Sequence, residues 1–502
     1  MQFGVSESIE HWGLYRPDDV ALLNNGNNIS YGELNSRINQ ICNLLNEYNI
    51  TGDRIAIAIE NKLDFVITLI ASLRIGKAVV VLNINLADAS LIINIKDTQP
   101  QLLIHDFNSE RITPIETDLR SFNPININRF NSNAGSTSSL YTPPNYRQAD
   151  DEWGVVFSSG STGIPKGIER NHDSIVTELL GWCLELNLNR SSTFYIGRPI
   201  YYTGGLVLTL STLLVGGQVI LNDYTSYNNA KEIWEDYQNT LLNNDISWAF
   251  FIPSQIRLFL NAVINTSKPL LKANSILLMG EPITGQEKLM AYNQLGSNIV
   301  ESWGNSESLG TITEIDDLCK RPNSIGRPFL TDKMFIVDEK IKILPPNNIG
   351  RIAGCEEGGF KKYSNRSEDT KRVKQEGLII SDDLGYIDND NYFYIKSRVQ
   401  DSIVINGNTI FISDIESKIR ENSSIKDCCI LTDEVSDRNS IRLICVVALK
   451  KEASINNQNL LSELNQILRD DEKLYNITIH KELPYSSSGK IDKQCLKKKL
   501  NL

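Results

Sequence analysis

The sequence predicts an α/β protein made of one large and one small domain, and three observations carry that expectation. The chain has 502 residues, several times the length of a minimal domain, so more than one core is expected. Short β-branched runs alternate with longer amphipathic stretches through most of the chain. That is the pattern of strands feeding crossover helices, and hence of mostly parallel sheets. Near Ser397, the turn-rich Asp388-Asn389-Asp390-Asn391 and a short strand give way to a new βα-like segment running to Leu502, long enough for a small independent domain. The domains are therefore expected at 1–396 and 397–502.

Taken in order, Asp53 to Ile59 reads as a strand, Leu63 to Arg74 as an amphipathic helix and Ala78 to Leu82 as the next strand. Asn133 to Tyr146, rich in Ser, Asn and Pro, reads as a surface connection into a strand at Val155-Val156-Phe157. Gly204 to Leu221 is the one stretch that resembles a membrane span. Thr209, Ser211, Thr212, Gly216, Gly217 and Gln218 interrupt it, so a buried helix, a Gly-Gly turn and a buried strand are expected instead.

Composition narrows the function. Apolar residues at 41% and charged residues at 22% match a folded globular chain. A formal net charge of −11 without a basic face argues against nucleic acid as a partner. Lys497-Lys498-Lys499 reads as a solvated helix end. Eight cysteines show neither disulfide-like nor metal-like spacing, which points to a reducing compartment. The N-terminus lacks the basic start and apolar stretch of a signal peptide, so a cytoplasmic protein with no membrane span is expected. Four histidines, His11, His105, His172 and His480, leave little material for a histidine-rich metal centre.

The segment most informative about chemistry is Phe157-Ser158-Ser159-Gly160-Ser161-Thr162-Gly163-Ile164-Pro165-Lys166-Gly167. Its glycines and small hydroxyl residues let backbone amides approach an anion closely, and Lys166 adds a cation. Ser/Gly content alone also describes an ordinary turn. The Gly-Lys-Ser/Thr ending of a Walker loop is absent. The whole string closely resembles the signature loop of the adenylate-forming superfamily: acyl-CoA synthetases, peptide-synthetase adenylation domains and luciferases. Further motifs follow in the family's order from about His11 to Asp492. The resemblance implies a large multi-sheet N-terminal domain and a small α+β C-terminal domain joined by a hinge.

The resemblance also implies roles. It assigns Ser158, Ser159, Gly160, Ser161, Thr162, Gly163 and Lys166 to the phosphates of ATP. Ile29-Ser30-Tyr31-Gly32-Glu33-Leu34 looks like the first, structural motif. In Glu301-Ser302-Trp303-Gly304-Asn305-Ser306-Glu307, Trp303 and Gly304 would meet adenine, Ser306 phosphate, and Glu307 Mg2+, for which a carboxylate is a suitably hard ligand. Gly280 and Glu281 are likewise assigned to the ATP site. Asp383 would accept hydrogen bonds from the ribose hydroxyls, with Arg398 assisting. Lys490, in Leu483-Pro484-Tyr485-Ser486-Ser487-Ser488-Gly489-Lys490-Ile491-Asp492, would be the catalytic lysine. Gln400 would be the hinge and Gly407 would line the pantetheine tunnel. Read singly, Trp303 is a core aromatic, Glu307 an exposed carboxylate, Asp383 and Arg398 a surface ion pair, and Lys490 a solvated turn lysine.

A family member of this kind converts a carboxylate to acyl-AMP, releasing pyrophosphate, and passes the acyl group to a thiol. Pro199 to Leu206 resembles the acyl-CoA synthetase substrate motif, which implies a pocket at Tyr202, Gly204 and Gly205, with Tyr202 where histidine is usual. No aspartate stands between Arg198 and Leu210 to pair with an ammonium, so an acid without an α-amine is expected. Three readings stay open. The chain is a CoA ligase, a freestanding adenylation enzyme loading a carrier-protein phosphopantetheine in trans, or a catalytically silent nucleotide-binding protein. Ser381-Asp382-Asp383, Ser397 and Gln400 depart from the family pattern around the hinge. Adenylation residues are thus better kept than those of thiol transfer.

Overall fold

The apolar runs that read as strands carry few polar residues because both faces of each sheet interior are covered, as in parallel α/β sheets. The computed structural model describes residues 4–500 apart from 25, 49, 51, 119–122, 129–139, 143–147, 159–164, 222–229, 264–271, 308–309, 406–407, 436–439, 451–452, 454 and 485–490. These residues form two compact units, Met1–Met334 with Ala353–Ile380 and Phe335–Ile352 with Ser381–Leu502.

Two large sheets organise the first unit. Among the described residues, one has the order Arg327–Pro328, Gly310–Ile312, Asn298–Gly304, Ser275–Met279, Trp248–Phe251, Thr193–Ile196, Gln218–Leu221, Val20–Asn24, Asn27–Ser30. Its interior pairs are parallel and its edges antiparallel. The other runs Lys362–Tyr363, Gly167–Asn171, Glu152–Phe157, Ala78–Val81, Arg54–Ala58, Leu102–His105, Asn123–Asn126. It too is parallel except at the edge formed by its first three strands.

The sequence reading of the first βαβ unit holds, with strands Arg54–Ala58 and Ala78–Val81 around the helix Lys62–Arg74. Gly204 to Leu221 is a helix, Thr203–Leu214, then the Gly216-Gly217 turn and the strand Gln218–Leu221. The Ile29–Leu34 segment has a clear mechanical job. Ser30 caps the helix Tyr31–Glu47 through the Glu33 amide at 3.2 Å, and the buried Tyr31 hydroxyl donates to Gly217 O at 2.7 Å. Most of Asn133 to Tyr146 lies outside the described residues.

In the second unit, Asp383 to Ile387 pairs antiparallel with Phe393–Arg398. A sheet of Ile425–Val435, Ser440–Leu449 and Asn476–His480 packs Cys445 and Val447 against Ile415 and Ile419 of the helix Ile412–Arg420 and Leu460 and Leu464 of the helix Asn457–Ile467. Strand pairing here is mainly antiparallel, so the mostly parallel expectation describes the first unit only. Lys497, Lys498 and Lys499 fall in the last turn of the helix Lys493–Leu500.

One buried ion pair anchors the strand that leads to Trp303. A Thr284/Glu287 capping box starts the helix Gly285–Leu295, which carries Lys288, 3% exposed, to within 2.6 Å of Glu301. Lys288 also donates to Ser324 O at 3.1 Å. Burial pushes the Glu301 carboxyl upward and Lys288 draws it back. Lys288→Met is expected to destabilise the fold by about 3–5 kcal/mol because it leaves a buried carboxylate unpaired. The double variant Lys288→Met/Glu301→Leu should recover most of that loss. Urea unfolding of the three proteins checks this, and a double variant no better than the single one would refute the desolvation account.

Candidate active site

The signature loop springs from a hairpin at the antiparallel edge of a parallel sheet. Glu152–Phe157 and Gly167–Asn171 pair up to Phe157 and Gly167. The neck is then closed by two hydrogen bonds, Ser158 N to Lys166 O at 3.1 Å and Lys166 N to Ser158 Oγ at 3.1 Å. A Cβ on Gly154 would stand 2.1 Å from Val79 O, so only glycine lets this strand sit against Ala78–Val81. Ser159, Gly160, Ser161, Thr162 and Gly163 lie outside the described residues. The loop connects two strands of one hairpin, Glu152–Phe157 and Gly167–Asn171.

Lys166 and Glu307, far apart in sequence, converge on one ring. Lys362–Tyr363 adds to the sheet edge beside Gly167–Asn171, with Tyr363 opposite Ile168. This buries Tyr363, and Lys166 Nζ lies 5.2 Å from its ring centroid while its hydroxyl donates to Glu307 Oε1 at 2.5 Å. Lys166 Nζ is also 3.1 Å from Asp369 Oδ2, on the helix Ser367–Val373. Ser306 is drawn in from two sides, its hydroxyl 3.0 Å from Thr203 Oγ1 and its carbonyl accepting from Arg170 Nη1 at 3.5 Å. Arg170 is itself fully buried and paired with Glu178 at 2.9 Å.

Trp303 is half-buried at the end of the strand Asn298–Gly304, where it faces Thr311, and Gly304 faces Gly310. It is thus not a core aromatic. Gly280 follows the strand Ser275–Met279 at φ +98, a turn conformation suited to glycine. Glu281 Oε2 accepts from Ser254 N at 2.9 Å, so in this structure Glu281 serves the start of the helix Pro253–Val263.

Tyr202 precedes the helix Thr203–Leu214. Its hydroxyl accepts from Asn83 Nδ2 at 3.3 Å, and the Arg198 guanidinium lies over its ring at 4.8 Å. A Cβ on Gly204 would come 2.5 Å from Met279 Cε and 3.2 Å from Phe250 Cζ. One on Gly205 would come 2.8 Å from Pro199 O. Past Tyr202, therefore, Gly204 lies against apolar side chains and Gly205 against backbone, which leaves no room for a Cβ at Gly205.

In the second unit Asp383 and Arg398 face each other across the hairpin and form an ion pair, Nε to Oδ1 3.3 Å. The Asp383 amide is held by Ser381 Oγ at 3.1 Å. Gln400 is exposed in the short helical turn Val399–Asp401. Gly407 and Lys490 lie outside the described residues. Sequence reasoning did not single out Tyr363, Asp369, Thr203 or Arg170; each joins the cluster through a tertiary pairing that no local pattern announces.

Residues 9–363 match the AMP-binding enzyme family, and the chain belongs to that family. It is 24% identical over 505 residues to the medium-chain fatty-acid–CoA ligase of Escherichia coli K12, an alignment covering 96% of this chain and 88% of that one. Zwittermicin A synthase ZmaJ of Bacillus cereus is 24% identical over 505 residues, with 96% and 92% covered. ATP-bound MatB from Rhodopseudomonas palustris shares the fold, with a TM-score of 0.88 at 22% identity over 99% of each chain. The resemblance to adenylate-forming enzymes and the fold class it implied are borne out. No helix among the described residues is long and apolar enough to cross a membrane.

Just beyond the Trp303 motif, Asp332 accepts from the Gly310 amide at 3.0 Å and from Thr331 Oγ1 at 3.2 Å. Burial pushes its carboxyl from 3.8 up to about 6, only partly offset by the Thr331 bond. A carboxyl raised on folding stabilises the fold while protonated, and that contribution is lost as pH rises through about 6. Asp332→Asn keeps an acceptor for Gly310 and cannot ionise. Its stability relative to wild type is expected to rise by up to about 3 kcal/mol between pH 4 and pH 7. Urea denaturation across that range measures it, and parallel pH profiles would remove Asp332 as the responsible group.

Proposed function

We propose that the protein activates a carboxylic acid with ATP and transfers the acyl group to a thiol. A carboxylate oxygen attacks the α-phosphorus, a new P–O bond forms, and the bond to pyrophosphate breaks, giving acyl-AMP. The thiol then attacks the acyl carbon and AMP leaves. The observation that carries this reading is the convergence of Lys166 and Glu307 on Tyr363.

The chemical obstacle is the approach of two anions, so catalysis rests on positioning and on concentrated positive charge. Lys166 is poised to exchange Asp369 for a departing phosphate. Tyr363 fixes the Glu307 carboxylate by donating to one oxygen. Among the described residues no group of three or more His, Cys, Asp or Glu side chains would cage a metal. Mg2+ would be held by one carboxylate, Glu307, together with phosphate oxygens and water. Bound there, the ion would neutralise triphosphate charge. Ser306 and Thr203 offer hydroxyl donors, Trp303 offers a half-buried indole face for adenine, and Asp383 with Arg398 would meet the ribose. Lys490 supplies charge where carboxylate and α-phosphate meet. No general base is required for this step.

The acid lacks an α-ammonium group, since no carboxylate stands between Arg198 and Leu210 to pair with one. CoA is the thiol in the first reading, supported by the likeness to a fatty-acid–CoA ligase. In a second reading a carrier-protein phosphopantetheine is loaded in trans. A small domain at 397–502 turning about Gln400 would present Lys490 for adenylation and withdraw it before thiol attack, with Gly407 beside the pantetheine.

Lys490→Ala is expected to slow acyl-adenylate formation by about 10²–10³, while thioester formation from supplied acyl-adenylate stays within about tenfold of wild type. Pyrophosphate release and single-turnover thioester formation, with CoA and with carrier protein, measure the two steps. Equal loss of both in a folded variant would overturn the withdrawal of Lys490, and ATP binding without AMP formation across a broad acid panel would overturn the activity.

A further inference from the structure

Arg198 stands at the start of the Pro199–Leu206 segment, two residues beyond the strand Thr193–Ile196. It is half-buried. Its guanidinium carbon lies 4.8 Å above the centroid of the Tyr202 ring. Among the described residues it has neither a hydrogen-bond acceptor nor an ion-pair partner. Burial pushes the Tyr201 hydroxyl upward, with Tyr202 and Glu60 adding to it and the nearby Arg198 opposing. Other arginines of this unit that approach the interior have acceptors: Arg54 pairs with Glu152 and Glu169, Arg170 with Glu178, and Arg74 donates to Ser6, Asn35 and Asn39.

Tyr202 has a donor to spare as well. Its oxygen accepts from Asn83 Nδ2 at 3.3 Å, which orients the hydroxyl, and its proton goes to no acceptor among the described residues. A guanidinium resting on an aromatic face keeps its N–H edges directed outward in a planar fork, matched to a carboxylate. Leaving such a group partly desolvated and without an acceptor is unfavourable. The two side chains therefore offer a cation and a hydroxyl donor at one place, while Met279 and Phe250 beside Gly204 make the adjoining wall apolar.

We propose that Arg198 and Tyr202 form a subsite for a second carboxylate on the acid, so that the substrate is a dicarboxylic acid. This rests on the adenylation reading above. The reacting carboxylate is a poorer occupant, because a bidentate clamp on the attacking oxygens stabilises the ground state and not the transition state. The triphosphate has its own cation in Lys166. The second carboxylate stays ionised throughout and takes no part in bond making, so Arg198 determines specificity and not the chemical step.

Matched acids of equal skeleton test this, namely succinate with butyrate, glutarate with valerate, and benzene-1,2-dicarboxylate with benzoate. Pyrophosphate release is followed for wild type, Arg198→Met, Arg198→Lys and Tyr202→Phe, with folding verified by circular dichroism and ATP binding by calorimetry. Wild type is expected to favour a diacid over its monoacid partner in kcat/KM. Arg198→Met should collapse that ratio by about a hundredfold, chiefly through KM, as expected for loss of a charge-assisted contact. Arg198→Lys should restore part of it, and Tyr202→Phe should lower it less. Preference of wild type for the monoacids, a ratio untouched by Arg198→Met, or equal loss on both members of each pair would overturn the proposal. Failure of acids of both kinds, with ATP still bound, would instead overturn the adenylation reading.

Discussion

Glu169 holds three separated stretches of chain at one point, and the candidate site depends on that junction. It is 4% exposed, and its carboxylate meets Arg54 at 3.0 Å and Ser364 Oγ at 2.9 Å. The Lys361 amide donates to its backbone carbonyl at 2.7 Å. A buried carboxylate is costly unless its oxygens are satisfied, so the segment 361–364 has a strong reason to add to the sheet edge there. Tyr363 comes with it, and Tyr363 is what brings Glu307 and Lys166 to a common surface.

The fixed ion pairs around this junction separate architecture from chemistry. Arg170 with Glu178 and Lys288 with Glu301 are shielded, and their partners cannot be traded without leaving a charge in the interior. The Lys166 and Asp369 side chains are 18% and 32% exposed, enough for water or an incoming anion to reach them. An accessible pair contributes little to stability and is correspondingly inexpensive to open. Under the reading proposed above, the phosphate-facing cation is therefore the one whose protein partner is weakest.

Much of the first unit was legible in the sequence, because strands buried on both faces write long apolar runs and the Gly-Gly turn at 216–217 breaks the one stretch that imitates a membrane span. The signature loop was legible for a similar reason: its composition is dictated by close backbone approach. What stayed hidden were groups defined by pairing across the fold. Tyr363 sits in a polar segment, Lys361-Lys362-Tyr363-Ser364, that reads as a surface turn until its edge pairing is known. Arg198 was passed over because a lone arginine is ordinarily solvated, and only the absence of a partner gives it meaning. Near the second unit, turn composition at Asp388–Asn391 suggested a boundary at 396/397. That turn joins two strands of one hairpin, and both strands belong to the compact unit made of Phe335–Ile352 and Ser381–Leu502.

Within the second unit the same logic of buried charge ties the segment around Gln400 to the C-terminal helix. Asp401, next to Gln400, is 2.7 Å from Lys493 Nζ. Burial lowers the Lys493 ammonium, yet Glu416 and Asp401 together raise it above its ordinary value. Burial also raises the Glu416 carboxyl, with Lys493 and Arg420 drawing it back, and the Ile430 amide donates to it at 2.9 Å. The turn at 399–401, the helix Ile412–Arg420 and the first turn of Lys493–Leu500 thus share one electrostatic centre. Lys490 lies three residues before Lys493 in the chain. Under the hinge proposed above, a rotation at Gln400 that preserved this centre would carry Asp401 and Lys493 as one body. Exposed Gln400 could then change its backbone angles while the charges behind it keep their partners.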